Sequence, residues 1–270
     1  MKSNFVIRTL TGFLFAVVVI GSIVFNQYLY FVFAALVITL GMLEFLNLAS
    51  GEGFKLNKWL LSISALSLFF AFVVWKEKMQ IWGFFVFVML NAFVFIAELY
   101  KKQQKPFVNL SYAVFSQVYI VVPFALFIYL LTFPGYFYPY IGLAVFVLIW
   151  ANDTFAYIFG VSFGKNRLFE RISPKKSWEG AIGGGFSTLI IAWIISNYFA
   201  ILPFVHWLVI GLIVVVFGNF GDLIQSLYKR SIHVKDSGSI LPGHGGILDR
   251  FDSFLFATPI VVIYLKSFAI

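Results

Sequence analysis

Apolar residues run along this chain in blocks of about twenty, each long enough to carry a helix across ~30 Å of hydrocarbon. Short clusters of charged residues, Pro, Gly or Asn break the blocks. Read by those breaks, the pattern predicts nine helices, at 5–25, 28–47, 58–75, 80–99, 111–132, 139–160, 179–199, 204–226 and 250–268. The expected fold is all-α, a polytopic integral membrane protein, and no stretch remains for a separate soluble domain. The first block exceeds a ~7–15-residue signal-peptide core and lacks a small-residue cleavage site after it, so it reads as a retained span.

Composition strengthens this picture. The chain is 61% hydrophobic and 11% charged, against ~45–50% and ~25% for soluble domains. It has no cysteine, which excludes disulfides, thiolate metal sites and cysteine nucleophiles. The net charge of +8 would suit nucleic acid, but in a membrane protein the placement of Lys and Arg says more than their sum, and no nucleic-acid partner is expected.

With the N-terminus inside, sixteen of the nineteen basic residues fall in inside segments: Lys2, Arg8, Lys55, Lys58, Lys101, Lys102, Lys105, Lys165, Arg167, Arg171, Lys175, Lys176, Lys229, Arg230, Lys235 and Arg250. Lys76, Lys78 and Lys266 fall outside. The positive-inside rule then predicts a cytoplasmic N-terminus and an external C-terminus.

Two parts differ in character. Residues 1–135 read as a scaffold of helices in which polar groups sit at span ends, with Tyr28, Tyr30, Trp59 and Trp82 as interfacial belts. Residues 136–270 carry the polar groups that need a reason. An Asp at a helix centre costs ~2.5–3.5 kcal/mol on insertion scales, and Asp153 lies inside the sixth predicted span, beside Asn152. Asp222 lies near the inner end of the eighth, and Asp249 and Asp252 open the ninth on one helical face. Glu44 and Glu98 also approach inner helix ends, but basic residues lie close by in the next loops, and both read as structural.

Two loops carry further chemistry. In 163–180, a turn at Ser173-Pro174 precedes Lys175, Lys176 and Ser177, which enter a helix whose first N–H groups can face an anion. Gly180, Gly183, Gly184 and Gly185 let a helix of the same chain, or of another, approach closely. In 221–253, Asp222, Gln225, Ser226 and Lys229 share a helical face. Lys229, Arg230 and Lys235 supply cations, and Pro242-Gly243-His244-Gly245-Gly246 is turn-rich backbone that suits an anion-binding nest. Carboxylates beside cations and glycines suit phosphates held partly through Mg²⁺.

The ordered set Ser226, Lys229-Arg230, Lys235-Asp236, Pro242-Gly243-His244-Gly245-Gly246 and Asp249-Arg250 with Asp252 resembles the signature of the CDP-diacylglycerol synthases. Asp153 with Ala156-Tyr157, Phe163-Gly164-Lys165 and Ser173-Pro174-Lys175-Lys176-Ser177 resemble that family too. Gln225 stands where the family has Glu, and Tyr228 where an aliphatic residue is usual.

The resemblance implies cytidylyl transfer from CTP to phosphatidic acid at the cytoplasmic face of the inner membrane, with Mg²⁺ as cofactor and a second cation left open. It assigns catalytic roles to Asp222, Asp249, Asp252, Lys229, Arg230, Lys235, Asp236 and His244, with Asp222 and Asp249 as metal ligands. Ser173, Lys175, Lys176, Ser177, Asp153, Ser226, Gly245, Gly246 and Arg250 are implied to bind substrate. It also favours a homodimer. Two other readings stand beside it: a CTP-dependent lipid kinase of the dolichol or phytol kinase type, and a cation-coupled transporter. For transport, charged or broken helices near the midplane are expected, whereas here the polar groups gather toward one face.

Overall fold

The computed structural model of the chain describes residues 2–51, 57–101, 105–133, 135–238, 240 and 245–268, the side chains of 2–8, 51 and 77 excepted. Among the described residues there are nine long helices: α1 (Lys2–Val24), α2 (Gln27–Gly51), α3 (Lys58–Lys78), α4 (Trp82–Tyr100), α5 (Pro106–Leu131), α6 (Tyr140–Phe163), α7 (Trp178–Tyr198), α8 (Phe204–Ser231) and α9 (Leu248–Phe268). Eight are long and apolar enough to cross a membrane, and α1 contributes a shorter apolar run, Thr9–Val24. A helix is present at each of the nine expected positions, and eight of them meet the length and hydropathy of a span.

Two helices run past their apolar blocks for local reasons. Helix α5 begins at Pro106, where a proline's missing N–H costs nothing and its φ is already helical. Helix α8 continues beyond its apolar part through Asp222, Gln225 and Lys229 to Ser231, residues that are compatible with a helix once it is nucleated. It closes with His233 in the left-handed region, φ 57°. His233 N donates to Arg230 O and Val234 N to Lys229 O, the paired bonds of a Schellman end.

A two-stranded antiparallel hairpin joins α6 to α7: β1 (Arg167–Phe169) and β2 (Ser173–Ser177), with Arg167 opposite Ser177 and Phe169 opposite Ser173. The expected turn at Ser173-Pro174 is therefore strand, and the chain reverses at 170–172 instead. A proline is tolerated there because the ladder is irregular and both strands are edges.

By compactness the chain forms two units: Met1–Ile128 with Asp236–Asp249, and Tyr129–Lys235 with Arg250–Ile270. In the first, α2 supplies a fully buried ridge of Ala34, Ile38, Met42 and Leu46, and Phe69 of α3 and Phe124 and Phe127 of α5 are equally buried. Tyr30 is not an interfacial residue: it is buried, and its hydroxyl donates to Phe124 O at 2.7 Å. Tyr28, Trp59 and Trp82 are exposed, as belts require.

Polar groups in this unit are not confined to span ends. Ser64 of α3, Asn91 of α4 and Gln117 of α5 are buried together. Asn91 Nδ2 donates to Ser64 Oγ at 2.8 Å, Ser64 Oγ to Gln117 Oε1 at 3.1 Å, and Gln117 Nε2 to Asn91 Oδ1 at 3.1 Å. One polar residue from each span satisfies the others, which hydrocarbon demands. Glu98 is structural as expected: it pairs with Lys101 at 3.2 Å and accepts from Asn109.

In the second unit α6, α7, α8 and α9 surround Val145, Leu148, Trp207, Ile210, Val214, Phe251 and Phe254, all buried, and Phe146 stacks on Phe254 at 5.0 Å. The glycines of α7 are used within this one chain. A Cβ on Gly184 would lie 2.9 Å from Ala156 N and Asn152 O, and one on Gly180 2.7 Å from Ala156 O. Helices α6 and α7 therefore touch backbone to backbone, the approach that small residues four apart permit.

Candidate active site

That close packing places Asp153, one residue after Asn152 on α6, against the elements that follow. On the other side of the unit, Gly221 of α8 lies against the Asp252 carbonyl of α9 and Gly218 against Ser253, which brings Asp222 to Asp252. Asp153, Asp222 and Asp252 consequently sit within electrostatic reach of one another. Three acids from three helices form one group.

Each acid has partners. Lys176 of β2 makes an ion pair with Asp222, Nζ to Oδ2 at 2.6 Å, and its charge also acts on Asp153 and Asp252. Ser226, one turn on from Asp222, donates to Asp222 Oδ1 at 3.3 Å. Ser253 donates its hydroxyl to Asp153, and Arg250 acts on Asp153 as a second cation. By formal charge the group holds three acids against two bases.

The hairpin that carries Lys176 is fastened at both ends. Glu179, in the first turn of α7, accepts from Lys165 N and Asn166 N at 3.1 Å and from Asn166 Nδ2 at 2.8 Å. Trp178 N donates to Asn166 O at 2.9 Å. At the turn, Arg230 donates Nε to Ile172 O at 3.4 Å and Nη1 to Val234 O at 3.1 Å, tying the hairpin to the end of α8. Buried Ser177 caps α7, its hydroxyl accepting from Gly180 N at 3.2 Å, so the N–H of Gly180 is already satisfied within the chain.

Of the remaining expected site residues in this unit, Ser173 is half-buried and Lys175 exposed on β2, Lys229 is half-buried on α8, and Lys235 is exposed just beyond it. Gln225 is buried, 1% exposed, so the position that departs from the family pattern faces the protein interior. Among the described residues no three acid or imidazole side chains form a ready-made metal cage.

The rest of the expected set belongs to the first unit. Asp236 is exposed. Asp249 Oδ2 accepts from Ser237 N at 3.0 Å and Gly246 N at 3.2 Å. Gly245 has φ +82°, and a Cβ there would meet Asp249 Oδ2 at 2.9 Å, so this turn requires glycine twice over. Pro242, Gly243 and His244 lie outside the described residues, as do Lys55 and Lys102.

Three polar residues around these groups carry no role in the sequence reading: Ser253, Glu179 and Ser237. Their signals are weak because serine and surface glutamate are common everywhere. Glu44 differs, for an acid inside an apolar block is the same signal that marked Asp153. Its nearby basic residues obscured it, and no salt bridge among the described residues involves it.

The chain is similar to known proteins along nearly its whole length. The cytidylyltransferase family profile matches residues 6–268. A phosphatidate cytidylyltransferase of Bacillus subtilis (strain 168) is 36% identical, covering 97% of this chain and 98% of its own length. One of Staphylococcus aureus (strain COL) is 34% identical over 96% and 98%, and one of Staphylococcus epidermidis is 32% identical over the same shares. This chain, with its acids and lysine gathered from α6, β2, α8 and α9, belongs to the cytidylyltransferase family.

Proposed function

We propose that the chain is a phosphatidate cytidylyltransferase, transferring the cytidylyl group of CTP to phosphatidic acid to give CDP-diacylglycerol and pyrophosphate. The observation that carries this reading is the group of Asp153, Asp222 and Asp252 faced by Lys176, in a chain matched along nearly its whole length by relatives bearing that name.

An oxygen of the phosphatidate phosphate attacks the α-phosphorus of CTP. The bond from that phosphorus to the oxygen bridging to the β-phosphate breaks, and pyrophosphate leaves with the electron pair. Both reactants are anions, so the task is to hold them together and stabilise charge that spreads over the phosphoryl oxygens. No protein nucleophile is needed.

The donor set suits Mg²⁺, which is commonly bound by one or two carboxylates, with substrate phosphates and water completing its shell. Asp222 is the carboxylate assigned to it, with Asp153 and Asp252 beside it, and the family resemblance assigns a metal role to Asp249 as well. When bound, the ion neutralises phosphate charge and orients the triphosphate. Lys176 and Arg250 balance the acids when no cation is bound, and Lys175, Lys176 and Lys229 bind phosphate oxygens in the complex.

The site faces the cytoplasm across a bacterial inner membrane: CTP is cytosolic, and the basic residues concentrate on one side as the positive-inside rule requires. Two copies associate as a homodimer by the family resemblance. The deciding experiment incubates purified protein with CTP, Mg²⁺ and phosphatidic acid. A cytidine-labelled lipid and pyrophosphate are expected, whereas CDP with a phosphorylated lipid alcohol would make it a kinase. Relatives at this identity bear the cytidylyltransferase name, so the kinase and transporter readings are not favoured.

A further inference from the structure

Glu44 lies on α2, far from the second-half motifs in sequence, yet its side chain ends among them. It is 3% exposed. Its carboxylate accepts from Ile247 N at 2.8 Å, Leu248 N at 3.2 Å and the Ser237 hydroxyl. These donors come from both ends of the loop that runs from Asp236 into α9. No Lys, Arg or His forms a salt bridge with Glu44 among the described residues, and the donors that do reach it are neutral.

The geometry is specific to the loop. Leu248 is the first residue of α9, so Glu44 sets an anion against unsatisfied first-turn N–H groups from another helix, the role a capping side chain normally fills. A Cβ on Gly238 would come within 3.0 Å of Glu44 Oε2, and one on Gly246 would strike Oε1. A side chain at either position would crowd the carboxylate. Ser237 is the hinge of the arrangement: its hydroxyl donates to Glu44 while its N–H donates to Asp249 Oδ2, which also accepts from Gly246 N.

We infer that Glu44 is a positioning residue for the reaction. It fixes both ends of the glycine-rich loop and, through Ser237, orients Asp249, so that loss of its carboxylate acts on cation use and turnover without its touching substrate. This rests on the functional reading above, in which Asp249 has a metal role.

The test compares wild type with Glu44→Ala, Glu44→Gln and Ser237→Ala, purified in detergent. Three readouts are taken: amide exchange at Ser237, Gly246, Ile247 and Leu248, Mn²⁺ binding by electron paramagnetic resonance, and turnover as a function of Mg²⁺. Losing hydrogen bonds to a charged acceptor corresponds to about ten- to a hundredfold in an equilibrium. Glu44→Ala should speed exchange at those amides by at least about that lower factor, weaken Mn²⁺ binding and raise the Mg²⁺ needed for half-maximal turnover. Glu44→Gln, whose amide oxygen still accepts, should fall between, and Ser237→Ala should shift Mg²⁺ dependence the same way with global stability kept.

Faster exchange with unchanged Mn²⁺ binding and turnover overturns the inference, because the loop is then anchored to no effect on the reaction. So does a general loss of folded Glu44→Ala protein combined with wild-type cation dependence in Ser237→Ala. If the wild type forms no cytidine lipid at all, the functional reading fails, while exchange and Mn²⁺ binding still decide whether Glu44 orients the loop and its carboxylate.

Discussion

Lys176 reaches from strand β2 to Asp222 of α8 across 2.6 Å, and its charge also bears on Asp153 and Asp252. One ammonium thus serves three acids that are gathered where a divalent cation is expected. Lys176 and the cation compete for the same carboxylates, while both attract the triphosphate. Lys176→Met should therefore act in opposite directions on the two. The Mg²⁺ concentration for half-maximal turnover should fall, and kcat/KM for CTP should drop by about ten- to a hundredfold, the loss of a charged contact to phosphate. Steady-state assays at varied Mg²⁺ and CTP measure both. Equal weakening of the two would sink the competition.

Neutralising the acids tests the group itself. Asp222→Asn, Asp252→Asn and Asp249→Asn should each lower turnover by on the order of a hundredfold or more, as expected when charge stabilisation at a transition state is lost. Protein level in the membrane should not change, because each substitution removes a charge from a helix. Chelation of divalent ions should abolish wild-type turnover and Mg²⁺ should restore it. Substantial activity of Asp222→Asn, measured as cytidine-labelled lipid, would remove Asp222 as a ligand.

The buried trio Ser64, Asn91 and Gln117 predicts a stability effect with no catalytic counterpart. Gln117→Leu removes the acceptor of the Ser64 hydroxyl and the donor to Asn91 Oδ1, leaving only the bond from Asn91 Nδ2 to Ser64 Oγ within the trio. Buried groups left unsatisfied cost ~1–3 kcal/mol, although hydrogen bonds between membrane helices average nearer ~0.6. Unfolding in detergent should show a loss between these values, with kcat per folded molecule unchanged. A fall in kcat at full stability would give the trio a role beyond packing.

The absence of cysteine makes the topology directly testable. A single cysteine at Glu170, in the exposed hairpin turn, should react with a membrane-impermeant maleimide only from the cytoplasmic side. One at Tyr136, exposed between α5 and α6, should react only from outside. The reverse pattern would invert the whole chain.

How much of this was legible in the sequence follows from which interactions are local. Helices α1–α9 were, because crossing hydrocarbon imposes a block length that hydropathy displays directly. The prominence of Asp153 was, because an acid inside a span is costly and needs a reason. The hairpin was not: β1 has three residues, too few to show a period of two, and its stability comes from Glu179 and Arg230 at its ends. Ser64, Asn91 and Gln117 each look harmless in their own span, and only packing turns them into a network. Glu44 reads in the sequence as a structural acid with basic residues close by in the next loop. Among the described residues it accepts from the Ser237 hydroxyl and from two backbone N–H groups, a donor present at every residue and therefore invisible as a motif.

Glu44 and Ser237 are 193 residues apart, and this bears on how the protein is made. Helices α1–α5 leave the ribosome and insert long before the loop that completes their unit exists. Until then Glu44 is an acid in an apolar helix without the donors it has in the finished protein, an expensive group to bury. The hydrogen bonding of Glu44 is therefore completed only after nearly the whole chain has been synthesised. A nascent chain ending before residue 236 lacks the partners of Glu44 and is an assembly intermediate rather than a finished module.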